Sequence, residues 1–231
     1  MTIYDHHRTT SVSSTIREVV FGMQDGMVST LGAITGIAIG SQDHFTVILS
    51  GMVIISVESI SMGIGSYLSN RSEYDVNQRR IEEEKEEIAE FPQQEKSELI
   101  QMFIRDGWPE EIALEMSDVA AKDPTLMLKE MAYRELLITH KPSLAFRNSV
   151  FMFFSYILGG LLPLLAYFLL PLQSAMTVSV IITLIGLFGI GAYTTKYSKA
   201  SWLKAGGRVL VLGAVAMGVG FLMGELSHFI R

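Results

Sequence analysis

Two long apolar stretches near the N-terminus each carry a carboxylate, and this constrains the fold more than any other feature of the chain. Residues 19–41 and 45–68 are each close to the ~20 residues that a helix needs to cross a bilayer. Yet the first contains Asp25 and the second Glu58. A carboxylate in hydrocarbon costs on the order of 3 kcal/mol, so such groups face a bundle interior or a water-filled path. Met62 follows Glu58 by one helical turn and shares its face. The prediction is a membrane hairpin that turns at Gln42, Asp43 and His44, with two carboxylates and a thioether directed inward.

Three further apolar stretches, 148–170, 175–195 and 208–227, have the same length class. The expected fold is therefore all-α, a polytopic membrane protein with five transmembrane helices. With 49% hydrophobic and only 18% charged residues, the composition suits a bilayer rather than a soluble domain. Basic residues set the orientation. Arg8 and Arg17 precede the first span, and Lys196, Lys199, Lys204 and Arg208 lie around the connection between the fourth and fifth, whereas the two short turns have neither Lys nor Arg. The N-terminus is expected in the cytosol and the C-terminus outside, with only Arg231 against the pattern. The polar start shows no cleavable signal pattern. His6 and His7 are adjacent and so do not share a helix face. Small residues recur at Gly32, Gly36 and Gly40 and at Gly213, Gly218, Gly220 and Gly224, spacing that lets helix backbones approach. Pro163 is expected to kink the third membrane helix, and Gly186, Gly189 and Gly191 to loosen the fourth. The chain has no cysteine, which excludes disulfides and thiolate metal sites. The net charge of −6 argues against nucleic-acid binding.

Residues 71–147 hold 18 of the 24 acidic residues, so this stretch stays out of the membrane. It has helical character throughout and forms a helical cytosolic insertion between membrane helices two and three. Its first helix can simply continue the second membrane helix. Pro92, Gly107, Pro109 and Pro124 divide the rest into three more helices. The domain organisation expected is a lead-in at 1–16, membrane helices one and two at 17–69, a metal-binding cytosolic domain at 70–145 and membrane helices three to five at 146–231. Within the insertion Glu84 and Glu87, Glu95 and Glu98, and Met131 and Glu135 each share a helix face. Carboxylates with one thioether suit Mn²⁺ and Fe²⁺ better than Mg²⁺ or Ca²⁺. A run such as Glu-Glu-Glu-Lys-Glu-Glu is equally a solvated helix face.

Asp25-Gly26-Met27-Val28 in the first span, Ser61-Met62-Gly63-Ile64-Gly65 in the second, the Glu-rich insertion, and Trp202, Leu203 and Lys204 with Gly206 before the fifth together resemble the vacuolar iron transporter family. The resemblance covers about residues 15 to 228. It implies a five-helix fold that dimerises, with a path between the two copies of the first two helices. It implies Fe²⁺ or Mn²⁺ as cargo, moved out of the cytosol in exchange for protons. The family's path residues fall on Asp25 and Met62. Its cytosolic metal ligands fall on Glu84, Glu87, Glu95, Glu98, Met131 and Glu135. Many members read Gly-Glu-Tyr after the second-span methionine, where this chain has Gly65-Ser66-Tyr67. Glu58, two turns earlier, is the expected substitute for the missing carboxylate.

The alternative is a non-transporting membrane protein whose acidic domain senses metal or docks a partner. An intramembrane enzyme is not expected, because no span carries a recognisable nucleophile or catalytic motif. No prosthetic group is expected, only the bound and transported ion. The short termini favour the plasma membrane of a prokaryote, with the vacuolar membrane as the eukaryotic case.

Overall fold

The computed structural model describes residues 9–135, 144–198, 201–227 and 229, with side chains from residue 15 onward except at 197 and 198. His6, His7, Arg8, Lys199 and Arg231 lie outside the described residues. The described residues form eight helices and no strand: α1 (Thr9–Ser41), α2 (His44–Glu90), α3 (Pro92–Arg105), α4 (Glu110–Ala120), α5 (Pro124–Arg134), α6 (Ala145–Leu169), α7 (Leu172–Ser198) and α8 (Trp202–Ser227). The chain divides into two compact units, 1–68 with 144–231 and, separately, 69–143. The 47-residue α2 runs from the first unit into the second without a break.

Four described helices, α2, α6, α7 and α8, are long and apolar enough to cross a membrane. The fifth expected span lies in α1, which is more polar because it carries Gln24, Asp25, Ser29, Thr30 and Thr35. Its packing accounts for that composition. It lies against α6, α7 and α8, and Leu31, Ile34 and Thr30 are fully buried. A helix enclosed by protein need not present hydrocarbon to lipid.

Glycines set the spacing of this unit. A Cβ on Gly26 would sit 2.3 Å from the Tyr156 carbonyl oxygen, and one on Gly159 would sit 2.3 Å from that of Met23. On the other side of α1, a Cβ on Gly36 would lie 2.7 Å from the Gly220 carbonyl oxygen and one on Gly220 2.0 Å from that of Gly32. Thus α1 touches α6 and α8 backbone to backbone. Overpacking of this kind costs about 1–3 kcal/mol. Gly26→Ala is therefore expected to lower the thermal midpoint of the detergent-solubilised protein. Gly207→Ala, where nothing lies within 4 Å of the added carbon and alanine favours the helix, should not lower it.

The turn from α1 to α2 passes through Gln42, whose φ is 54°, and Asp43 accepts from the Thr46 amide at 2.8 Å to cap α2. Next to it, His44 Nε2 bonds the Tyr167 carbonyl oxygen near the end of α6 at 2.6 Å. α6 continues through Pro163 as one helix, and Ser179 Oγ of α7 donates to the Pro163 carbonyl at 2.7 Å. α7 likewise runs unbroken through its three glycines.

The second unit has its own core of Leu99, Met102, Phe103, Ala113, Ala120, Met127 and Met131. Its breaks follow the sequence. Pro92 opens α3, Gly107 with φ of 98° takes the left-handed turn after it, and Asp123 caps α5 by accepting from Thr125 N at 2.9 Å.

Candidate functional site

Three helices of the first unit meet at the Tyr156 side chain. It is fully buried on α6, where the Gly26 contact brings α1 against the Tyr156 backbone. Its hydroxyl donates to Glu58 Oε2 of α2 and is also hydrogen-bonded to Ser29 Oγ of α1. A phenol has one proton. With that proton on Glu58, Ser29 is the donor to the Tyr156 oxygen.

Asp25 lies one turn before Ser29 on α1, half-buried, and close enough to Glu58 for the two charges to act on each other. Two of the expected path residues are thus brought together. Met62 is half-buried one turn further along α2. Among the described ion pairs, none joins a Lys or Arg to Asp25 or Glu58. Two like charges in an apolar unit without a basic partner are an arrangement that a cation or protons would relieve.

A third carboxylate went unnoticed in the sequence. Glu18 of α1 is only 5% exposed, and Ser66 Oγ of α2 donates to its Oε2 at 3.0 Å. Arg17, itself largely exposed, bonds the other oxygen at 3.2 Å. Ser66, where the resemblance leads to the expectation of Glu, thus meets an acid from α1. Spacing could have found it, since Glu18 precedes Asp25 by seven residues and so shares its helix face.

In the second unit, Glu84 and Glu95 are buried, and one oxygen of each, Glu84 Oε1 and Glu95 Oε2, has no hydrogen-bond partner. Burial raises the Glu84 carboxyl from the ordinary 4.5 to about 8, with further upward pressure from the Glu135 charge and hydrogen bond and from Glu95 and Glu87. Glu95 is raised by burial, then by the charges of Glu98, Glu87 and Glu135. Glu135 is raised chiefly by burial. Five of the six residues expected here as ligands therefore act on one another. The sixth, Met131, is fully buried in the apolar core of the same unit. As placed, the described residues contain no group of three or more acids or histidines drawn together tightly enough to hold a metal ion. The carboxylates form an acidic neighbourhood rather than a finished coordination shell.

The VIT family model matches residues 16–225 of the chain. Among curated proteins, the chain is similar to vacuolar iron transporter 1 of Arabidopsis thaliana, at 28% identity over 97% of this chain and 92% of that protein. It is similar to vacuolar iron transporter 1 of Oryza sativa subsp. japonica at 28% identity over 96% of this chain and 90% of that protein. The vacuolar iron transporter of Plasmodium berghei (strain Anka) is 26% identical over 91% of this chain and 81% of its own.

Proposed function

The chain belongs to the VIT family, and from that premise we propose that it carries a divalent transition metal, Fe²⁺ or Mn²⁺, out of the cytosol in exchange for protons. Members of this family are transporters, not enzymes, and the chain is a membrane protein. The observation that carries the reading is the pairing of Asp25 with Glu58 inside an apolar unit, with no Lys or Arg joined to either among the described ion pairs. Ionised, the pair offers a dication the negative charge that hydrocarbon denies it. Protonated, it crosses the same environment neutral. Met62, one turn on, adds a softer ligand that favours Fe²⁺ and Mn²⁺ over Mg²⁺ and Ca²⁺.

In this reading five helices span the bilayer, α1 among them, with the N-terminus and the 69–143 unit in the cytosol. Glu84, Glu87, Glu95, Glu98 and Glu135, with Met131, gather the metal. The protein works as a homodimer, in the plasma membrane of a prokaryote or the vacuolar membrane of a eukaryote. No prosthetic group takes part. One observation favours a second reading, a non-transporting sensor: the unpartnered oxygens of Glu84 and Glu95 can bind metal without any flux.

Uptake of Fe²⁺ and of Mn²⁺ into proteoliposomes, with and without an imposed pH gradient, separates the two. Saturable uptake that rises with the gradient is the expected result. Uptake indifferent to the gradient removes proton exchange and keeps metal transport. No uptake of either metal, from protein that still binds Mn²⁺, leaves the sensor.

A further inference from the structure

The helices of the first unit are joined in two different ways. α1 is held to α6 and to α8 by glycines pressed on backbone carbonyls. Such contacts leave no room for sliding without separating the helices. α2 is held differently. A Cβ on Gly51 would meet only the Leu164 and Ile34 side chains, one on Gly63 would have nothing nearer than 3.3 Å, and one on Gly65 would meet nothing within 4 Å. Polar links tie α2 to its neighbours instead, among them His44 to the Tyr167 carbonyl, Glu58 to Tyr156 and Ser66 to Glu18. They are spread over roughly 33 Å of helix at 1.5 Å per residue. The opposite face, with Leu49, Val53, Val57, Ile60, Ile64 and Leu68, is exposed.

We propose that Tyr156 is the positioning residue that docks α2 on the α1–α6 block through Glu58, and that a cation taken by Glu58 releases α2. The proposal rests on the transport reading above, in which Glu58 receives the metal. With Glu58 ionised, the Tyr156–Glu58 bond is charge-assisted, the stronger class of hydrogen bond. A metal ion on the same carboxylate competes for the lone pairs that Tyr156 uses. Tyr156 then has a second acceptor already in place, because Ser29 Oγ is hydrogen-bonded to it. Turning the phenol proton from Glu58 to Ser29 keeps the Tyr156 hydroxyl bonded while Glu58 takes the ion. Tyr156 therefore has two satisfied arrangements, and α2 is docked through it in one of them. α1, clamped by glycines on both sides, stays in place.

The chain has no cysteine, so one introduced thiol is the sole site of labelling. Ser59 is 1% exposed on α2 and Thr30 fully buried on α1. Each is replaced by Cys in turn, and the rate of reaction with a small methanethiosulfonate is measured in proteoliposomes. In the Ser59→Cys chain the reaction is expected to be slow without metal and at least ten-fold faster with saturating Mn²⁺. Adding Tyr156→Phe, which keeps the packed ring, should make it fast without metal. Adding Ser29→Ala instead, which leaves the Tyr156–Glu58 bond, should keep it slow. The Thr30→Cys thiol should stay unreactive throughout. A slow thiol at position 59 in the Tyr156→Phe background overturns the proposal, as does a Thr30→Cys thiol that becomes reactive with it, which marks general loosening. Mn²⁺ flux through the Ser59→Cys chain with no change in labelling overturns release while transport stands. Absence of flux removes the transport reading and this inference with it.

Discussion

Asparagine at position 25 is expected to cut Mn²⁺ or Fe²⁺ flux into proteoliposomes at least 100-fold while leaving the thermal midpoint of the protein unchanged. The substitution keeps the size of the side chain and removes its charge. Asp25 is half-buried and within reach of the Glu58 charge. A dication leaving water loses hydration that only anionic ligands replace. Losing about 2.7 kcal/mol of that compensation is a 100-fold change, a modest figure beside the cost of an unpaired charge in hydrocarbon. Stability should not fall, since no described ion pair involves Asp25 and a neutral group in an apolar unit is cheaper than a charged one. Glu58→Gln is expected to behave similarly. The double variant should be no worse than about either single one, because both residues serve one ion and their effects do not add. Wild-type flux from Glu58→Gln would sink the idea that Glu58 replaces the carboxylate missing at Ser66. Glu18, which Ser66 already meets, would then be the candidate.

How much of this was written in the sequence depends on the range of the interaction. The helices of the 69–143 unit were legible because Pro92, Gly107 and Pro124 punctuate a strongly helical pattern, and local chemistry decides such boundaries. The continuation of the second apolar stretch into the charged helix was legible for the same reason, since nothing between residues 68 and 90 stops a helix. The length of α1 was not. Its polar start at Thr9 has no apolar periodicity, and its middle is enclosed rather than lipid-facing. The pairing of Asp25 with Glu58 was legible as two misplaced charges in adjacent stretches. Tyr156 was not, because in Phe-Met-Phe-Phe-Ser-Tyr it reads as one more apolar-span aromatic. Its partners stand 127 and 98 residues away in the chain. Spacing within one helix says nothing of such contacts. The same holds for Glu84, whose i+3 partner Glu87 was visible while its closer partner Glu135 comes from another segment.

Glu84 is also where pH and metal should act most strongly on stability. In the native chain its carboxyl titrates near 8, against an ordinary 4.5. Between those two values the native state holds a proton that the unfolded chain has already lost. Stability then falls as pH rises through the window and levels off above it, because the state binding more protons is the one disfavoured by their removal. The thermal midpoint of the full protein in detergent should therefore drop from pH 5 to pH 8. Glu84→Gln, which cannot ionise, should flatten that slope, and the difference between the two curves reports Glu84 together with Glu135 and Glu95, whose charges act on it. Mn²⁺ should reverse the loss. At pH 8 it replaces the departing proton, satisfies the unpartnered oxygens of Glu84 and Glu95 and draws Glu87, Glu98 and Glu135 inward. At pH 5 the proton holds the site and Mn²⁺ should raise the midpoint little, since ligands must be deprotonated to bind. A saturating ligand at 100 times its dissociation constant adds about 2.7 kcal/mol, enough for a shift of several degrees. If Glu84→Gln keeps the full Mn²⁺-induced shift at pH 8, the acidic neighbourhood is not where the metal binds. The buried Glu84 is then a structural acid, held neutral by its surroundings.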